Sequence, residues 1–482
     1  MRNNLFAFFL LLFTIASCND KLGLEIEGEE SLTHTTSGSM RSAGDTQFDV
    51  LGFGYDITDD YLNPMSVKNP VLDINKYYKD HPMRLITGTP SFGYDKMYYG
   101  ASSLDYVNDM TLDYKAEISV GGLNIGEKQL FSGSINRNLF FKSKYEYSSK
   151  YSFASLDVIR NLKYIRINDE IERISNYILP EFAEDVDRLS PERLIERYGT
   201  HVLTDFTIGG RYRLVFRSVI EKTENHDVKK LALKSGFDFV LKKMGIKVNT
   251  EKSIDVKKDL VKENKHKELY VLFYGGKGTN MKYDLETGMP ATVDIKVWED
   301  NVNLNNSNLT NINWKETYPL YYFIKNPQKR QQVKNAIERY IKEQSLTMID
   351  VKPFYCYYSD RYVNHSYFTE WKGEHFNTDD YLGTTCYLPS DMASGAVPLY
   401  RYYSAKYVNH SYFTEWKGFY FNTDRYEGIA GYIYKTQQMG TVPLYEYYSA
   451  KYVNHSYFAE WKGDSFNTDR FVRIVGYVYP AK

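Results

Sequence analysis

The sequence predicts a mixed α+β domain followed by an all-β C-terminal domain, and three observations support that division. In the last third Pro353, Pro398 and Pro443, then His365, His410 and His455, then Trp371, Trp416 and Trp461 each stand 45 residues apart. Upstream, over about residues 46–350, helical and strand patterns alternate without such a period. Aromatic residues make up 16% of the 482, with 46 tyrosines against 27 phenylalanines and 5 tryptophans. Tyrosine suits half-buried strands, where the ring packs and the hydroxyl stays wet. The near balance of 60 basic and 61 acidic groups excludes a strongly basic nucleic-acid binder and a disordered acidic chain.

The N-terminus reads as an export signal. Arg2 precedes an apolar run at residues 5–16, too short for a bilayer-spanning helix and suited to a signal core. The boundary Ile15-Ala16-Ser17-Cys18 resembles a bacterial lipobox. That resemblance implies removal of residues 1–17 and acylation of Cys18, placing the protein on a bacterial cell surface or outer membrane, or in outer-membrane vesicles. Two acyl chains on one residue hold a protein stably where one is marginal. Residues 18–45 form a polar tether, with Glu25, Glu27, Glu29 and Glu30 near its start. In an exported protein the remaining pair, Cys356 and Cys386, predicts one disulfide within the first repeat, with two buried free thiols as the alternative.

In the middle domain residues 169–198 are helical in pattern, with Ser190 as a cap, Pro191 in the first turn and Gly199 as the stop. Val333, Ala336, Ile337, Tyr340 and Ile341 share one helix face, and residues 211–219 and 268–274 read as strands. Between helix and strand stands Tyr198-Gly199-Thr200-His201, followed after seven residues by Gly209-Gly210. Adjacent glycines weaken a strand and permit a sharp bend, or a static bulge. His201, a lone histidine, is expected to be a structural hydrogen-bonding residue. The motif resembles the signature of the membrane attack complex/perforin (MACPF) superfamily, with Leu51-Gly52-Phe53-Gly54-Tyr55-Asp56 similar to a stretch in bacterial members. Lipobox, this domain and a Tyr-rich C-terminal domain together look like the Bacteroidales-secreted antimicrobial proteins, pore-forming toxins aimed at related bacteria. The resemblance implies a bent antiparallel central sheet flanked by helical clusters. These would become membrane hairpins as subunits assemble into a ring-shaped homo-oligomer on a target bacterial outer membrane.

Two segments carry the alternation that a membrane strand of about 9–11 residues requires. In one, Phe131, Ile135, Leu139 and Phe141 alternate with polar residues, Arg137 being the exception; in the other Met244, Ile246, Val248, Ile254 and Val256 do so, with Lys252 the exception. Each segment taken singly also fits a soluble strand with one wet face.

Each C-terminal repeat shares Tyr-Val-Asn-His-Ser-Tyr-Phe, starting at Tyr362, Tyr407 and Tyr452. Units this small cannot each bury a core, so they should pack together, as a closed β-trefoil-like domain over 352–482 or as a short solenoid. Trp371, Trp416 and Trp461, with Asn364, Asn409 and Asn454, are candidates for three equivalent sugar sites, rings stacking while amides bind hydroxyls. Alternatively they recur because they build the core. The partner expected is a surface protein or lipopolysaccharide glycan. An enzyme is disfavoured, since no Gly-x-Ser-x-Gly, His-Glu-x-x-His or zinc spacing occurs, and neither cofactor nor metal is expected. The competing reading is a non-lytic surface adhesin on a MACPF scaffold.

Overall fold

The computed structural model describes residues 47–481 except 113, 120–121, 127–128, 136–145, 224, 247–256, 291–294, 393–394 and 439. The signal segment, Cys18 and the tether lie outside the described residues. In chain order the elements that matter are β1 (Phe53–Tyr55), β2 (Leu85–Gly88), β3 (Gly93–Gly100), α1 (Ser103–Thr111), β4 (Tyr151–Ile167), α2 (Pro180–Arg188), α3 (Pro191–Tyr198), β5 (His201–Val202) and β6 (Asp205–Val219). They continue with α4 (His226–Lys243), β7 (Lys265–Tyr274), β8 (Met281–Asp284), α5 (Ile295–Glu299), β9 (Asn308–Ile312) and α6 (Pro327–Gln344).

An antiparallel sheet in the order β8-β7-β6-β4 dominates this domain, with β2 and β3 following one another along β4 and β9 pairing with the start of β6. Both faces are buried, which is why β6 is apolar on alternate faces at once. Tyr212, Leu214 and Phe216 face a core shared with Leu233, Phe237 and Leu241 of α4 and Trp298 of α5. Val215 faces a larger core with Tyr55, Tyr106, Phe131 and Trp314. The connections β3–β4 and β6–β7 carry the helical clusters, α1 in one and α4 in the other.

The helical stretch expected at 169–198 is three helices, because Pro180 begins a new one and Ser190 another; Ser190 Oγ accepts from Arg193 N at 3.3 Å. On α6, Val333, Ala336, Ile337 and Ile341 are buried, while the Tyr340 hydroxyl donates to Asp56 Oδ2 at 2.8 Å. Neither alternating segment begins as a soluble strand. Phe131 is buried at φ 55° against Tyr61, Tyr114 and Trp314, and Ser132–Ile135 form a 3-10 turn. Met244 caps the end of α4, and Ile246 is buried. The side chain of Ile135, and Leu139, Phe141, Val248, Ile254 and Val256, lie outside the described residues.

The C-terminal domain comprises twelve strands, four per repeat, among the described residues. In each unit the first strand pairs with the second and the last, and Tyr358↔His365, Tyr403↔His410 and Tyr448↔His455 are the same pair three times. Units join through their last strands, at Cys386↔Pro480, Tyr387↔Tyr479 and Tyr434↔Tyr477. Tyr367, Tyr412 and Tyr457 meet in the shared core, the Tyr412 hydroxyl donating to Tyr367 O at 2.6 Å and that of Tyr367 to Tyr457 O at 3.1 Å. The third unit contacts the first, so the domain is closed and not an open solenoid.

Candidate functional site

The signature motif is a structural lock. Gly199 ends α3 at φ 74°, where a Cβ would stand 2.5 Å from Tyr55 O. Thr200 N donates to that same Tyr55 O at 2.8 Å, and Thr200 Oγ1 accepts from Ile57 N at 3.1 Å. β1 pairs with β5 through Tyr55↔His201, and Gly54 lies so close that a Cβ would be 1.8 Å from Tyr198 O. The early glycine-rich stretch and the signature are therefore one interlocked unit, a contact that reading the two motifs separately missed. The Tyr198 hydroxyl donates to Asp185 Oδ2 of α2 at 2.8 Å.

His201 is wholly buried, edge-on to Trp314, with Nδ1 3.1 Å from Thr200 Oγ1. Its Nε2 has no hydrogen-bond partner among the described residues. Burial pulls its pKa down to about 3, so the ring is neutral. A base held this low in the folded state favours folding above its unfolded pKa and loses that support as pH falls. About 3 kcal/mol of stability attributable to His201 is expected to vanish between about pH 7 and pH 4. Urea midpoints at both pH values should converge toward each other in His201→Gln relative to the wild type; an unchanged acid dependence would refute the assignment.

The paired glycines mark a close approach in the sheet, as Gly93 does against Ile159 O. Gly209 lies opposite Asn161, where the register of β4 shifts between Asn161 and Lys163. A Cβ on Gly209 would be 1.9 Å from Arg160 O, and one on Gly210 would meet Val302 and Trp298 at 2.7 and 2.8 Å. At the end of β7, Gly275 and Gly276 adopt φ 76° and 75°, and a Gly275 Cβ would be 2.6 Å from Gly209 O. Trp298 of α5 sits over this cluster, its Nε1 donating to Gly275 O at 2.9 Å, while Arg160 Nε donates to the neighbouring Glu299 at 2.7 Å. Gly210, Gly275 and Gly276 are thus covered by one indole, while Gly209 packs on the backbone of β4. The second pair could have been found from sequence only by treating Gly275-Gly276 as a strand end.

Below the bend lies a buried charge cluster that the sequence reading did not anticipate. Arg213 stands 3.3 Å from both Asp60 and Asp157, and its Nη2 donates to the Tyr106 hydroxyl at 2.8 Å. Arg211 donates to Tyr61 O at 2.8 Å and stacks over Tyr274 at 4.1 Å. The clue was available: Arg211, Arg213 and Arg217 alternate on one face of a strand with apolar residues on the other. Such a pairing is strongly destabilising to break, since it leaves a buried charge uncompensated.

The helical cluster of the β6–β7 connection is docked on the sheet. Phe237 of α4 stacks on Phe216 with ring centroids 5.7 Å apart. Asn264 receives the Ser218 hydroxyl proton at 2.8 Å and donates to Ala232 O at 2.8 Å. His226, at the start of α4, contacts Asp105 of α1, which raises the histidine pKa. A raised base favours its contact below its ordinary pKa and loses that support as pH rises, so acid tightens this tie. As a helix α4 buries Ser235 and Asp238, and Ser235 Oγ has no hydrogen-bond partner among the described residues. Read in twos, however, Leu231, Leu233, Phe237, Phe239 and Leu241 alternate with Lys230, Lys234, Asp238 and Lys242, with Ser235 on the apolar side and Val240 on the polar side as the exceptions. The sequence reading began its alternation at Met244 and missed this row before it.

In the C-terminal domain the structure separates the candidate ligand residues. Asn364 donates to Val408 O, Asn409 to Val453 O and Asn454 to Val363 O, each amide tying its unit to another around the ring. All three are buried, so their amides are engaged in closure and not offered to a sugar. Trp416 and Trp461 are not core residues, being 45% and 48% exposed. The Trp371 ring is covered instead by Lys222, whose ammonium lies 5.1 Å from it. The expected disulfide is not formed: Cys356 and Cys386 are buried free thiols. The register sets Cys386 opposite Phe354 and Cys356 opposite Gly383, with one bulge between the two pairs and a second beyond Cys356.

The first repeat is also the face that holds the other domain. Glu221, two residues beyond β6, accepts from the Thr384 hydroxyl at 3.1 Å and from Tyr387, and its carbonyl accepts from the Tyr355 hydroxyl at 2.7 Å. Lys222 pairs with Glu374 at 2.5 Å. Lys150, one residue before β4, donates to Pro480 O and Ala481 O at 2.8 and 2.9 Å, and burial pushes its ammonium down to about 8. Both helical connections are therefore gripped at their roots. Among the described residues no group of three or more His, Cys, Asp or Glu is placed to hold a metal ion.

The family model of the MAC/Perforin domain matches residues 41–349, and a second, a domain of unknown function (DUF5648), matches residues 353–469. The chain belongs to the MAC/perforin family, a family of pore-forming proteins. Among solved structures it is similar to a protein with a MAC/perforin domain from Bacteroides thetaiotaomicron, described as a cell invasion protein, at 16% identity over 69% of each chain with a TM-score of 0.49. It is also similar to GNIP1Aa from Chromobacterium piscinae, at 13% identity over 90% of this chain and 82% of that one, with a TM-score of 0.46. No curated protein matches the sequence.

Proposed function

We propose that this protein is a pore-forming antibacterial toxin, exported as a lipoprotein on Cys18, that assembles into a ring on the outer membrane of related bacteria. Residues 352–482 attach it to the target surface, through a surface protein or lipopolysaccharide, and residues 46–350 form the pore. The observation that carries this reading is α4. It is a helix whose sequence alternates with the period of a strand, docked on the sheet and joined to β6 and β7 at its two ends.

Extended, residues 230–242 would continue β6 with Leu231, Leu233, Phe237, Phe239 and Leu241 toward lipid and lysines toward the lumen. In hydrocarbon every backbone group must be paired, and strands achieve this only in a closed barrel, so insertion requires assembly. The return strand falls on the alternating segment that includes Met244 and Ile246. Leakage of dye from vesicles of target outer-membrane lipid, together with killing of sibling strains, is the expected result. Binding to sibling cells without leakage or killing would favour the adhesin reading.

A further inference from the structure

The three repeats provide an internal comparison. After the shared Trp-Lys-Gly they differ at two successive positions: Glu374-His375 in the first unit, Phe419-Tyr420 in the second and Asp464-Ser465 in the third. The backbone is the same in all three, with Tyr381 N, Tyr426 N and Phe471 N donating to the carbonyls of Glu374, Phe419 and Asp464 at 2.9, 2.9 and 3.0 Å. The fold therefore accepts polar residues here, and the hairpin backbone does not depend on the aromatic pair of the second unit. In the first unit this tip is engaged by Lys222. In the second, Phe419 is 72% and Tyr420 77% exposed. Phe419 stands edge-on to Trp416 at 5.4 Å, Trp416 packs on Tyr400, and the exposed Ile429 lies across the sheet from Tyr400. Arg425, its side chain 65% exposed and 3.8 Å from Glu427, is the direct cross-strand neighbour of Tyr420, where the first unit has Asp380 opposite His375 and the third Arg470 opposite Ser465.

We infer that the hairpin tip of the second repeat, Trp416, Phe419, Tyr420 and Ile429 with Arg425, is an anchor that enters the headgroup boundary of an anionic bilayer. This deepens the attachment role given above to the C-terminal domain and rests on it. Tryptophan and tyrosine rings settle at headgroup level, with one end apolar and the other wet. Phe419 and Ile429 supply purely apolar area, and an exposed arginine beside them complements an anionic headgroup. Of the amides in this repeat Asn409 is bonded to Val453 O and takes no part in the tip.

The test is flotation of the mature chain from residue 19, without its acyl anchor, on vesicles of phosphatidylethanolamine and phosphatidylglycerol. The double variant Phe419→Asp/Tyr420→Ser carries the third unit's own residues, so it should fold and melt as the wild type does. Its vesicle affinity should fall by about tenfold or more, from the lost burial of two aromatic side chains. The reciprocal Asp464→Phe/Ser465→Tyr should bind more tightly than wild type, and vesicles of phosphatidylcholine alone should bind wild type less. Unchanged affinity in the first variant overturns the proposal. So does wild-type binding only to protein-containing outer-membrane extract, which would indicate a protein partner. Leakage is scored separately: binding that depends on the tip without any leakage would leave the anchor standing and remove the pore.

Discussion

A short, reducible bis-thiosulfonate cross-link between cysteines at positions 216 and 237 will abolish vesicle leakage and leave vesicle binding intact. Phe216 on β6 and Phe237 on α4 are stacked, and their rings fill a gap that a direct disulfide cannot span, so a linker of the rings' length joining cysteines at these positions would bond the helix to the sheet it must leave. That departure is the largest rearrangement the pore reading requires. Detaching α4 uncovers Leu233, Phe237, Val240 and Leu241, each worth about 1.5–3 kcal/mol when buried. Only a surface that buries Leu233, Phe237 and Leu241 again, such as a bilayer, can offset most of this. Cys356 and Cys386 do not interfere, because burial raises both thiol pKa values and keeps them protonated. Under reduction the double variant Phe216→Cys/Phe237→Cys should leak again, and at lower temperature than wild type, since two core cavities cost about 3 kcal/mol or more each. Leakage that persists with the bond verified by mass spectrometry would show that α4 stays docked in the active form.

What the sequence disclosed depended on the range of the contact. Local rules were legible: Ser190, Pro191 and Gly199 frame α3, and the face of α6 is where its period puts it. The 45-residue repeat announced a closed all-β domain because three small units have no other way to bury Tyr367, Tyr412 and Tyr457. Long-range register was not legible. The register that sets Cys386 opposite Phe354 and Cys356 opposite Gly383 keeps the two thiols apart, and no spacing encodes it. The asparagines look like surface amides until the chain closes and brings Asn454 to Val363. The row in α4 was hidden for a different reason. Its residues are leucine, phenylalanine, alanine and lysine, which favour a helix as readily as they tolerate a strand, whereas Ile246, Val248, Ile254 and Val256 are β-branched and drew the reading past Met244. Buried Asp238 is the trace of that double use: in the strand it falls on the polar side with the lysines, whereas Ser235 falls on the apolar side and breaks the row. The charge cluster at Arg211 and Arg213 needed partners from β4 and from the loop after β1, which only the fold supplies.

Gly209→Ala and Gly210→Ala, at adjacent positions, are expected to differ in free-energy cost, the first being the larger, and to act in opposite senses on function. At Gly209 the new methyl would lie 1.9 Å from the carbonyl of Arg160, a backbone atom held in the β4–β6 ladder. No side chain can turn aside, so the strands must part where they already change register. The loss should exceed about 3 kcal/mol, above the usual range for an overpacked core, and be read as collapse of soluble yield and of the near-ultraviolet signal. At Gly210 the obstacles are the ends of Val302 and Trp298. These can shift, for about 1–3 kcal/mol, and Val302→Ala should restore most of it. The shift lifts Trp298 from the carbonyl of Gly275, loosening the cover over the bend. Gly210→Ala should therefore remain folded and permeabilise vesicles at a lower concentration than wild type, with Trp298→Phe doing the same by deleting the indole N–H. Equal, small losses at both positions would mean that the two strands are not in close approach. A Gly210→Ala protein that is less stable but no more active would mean that Trp298 does not restrain the sheet.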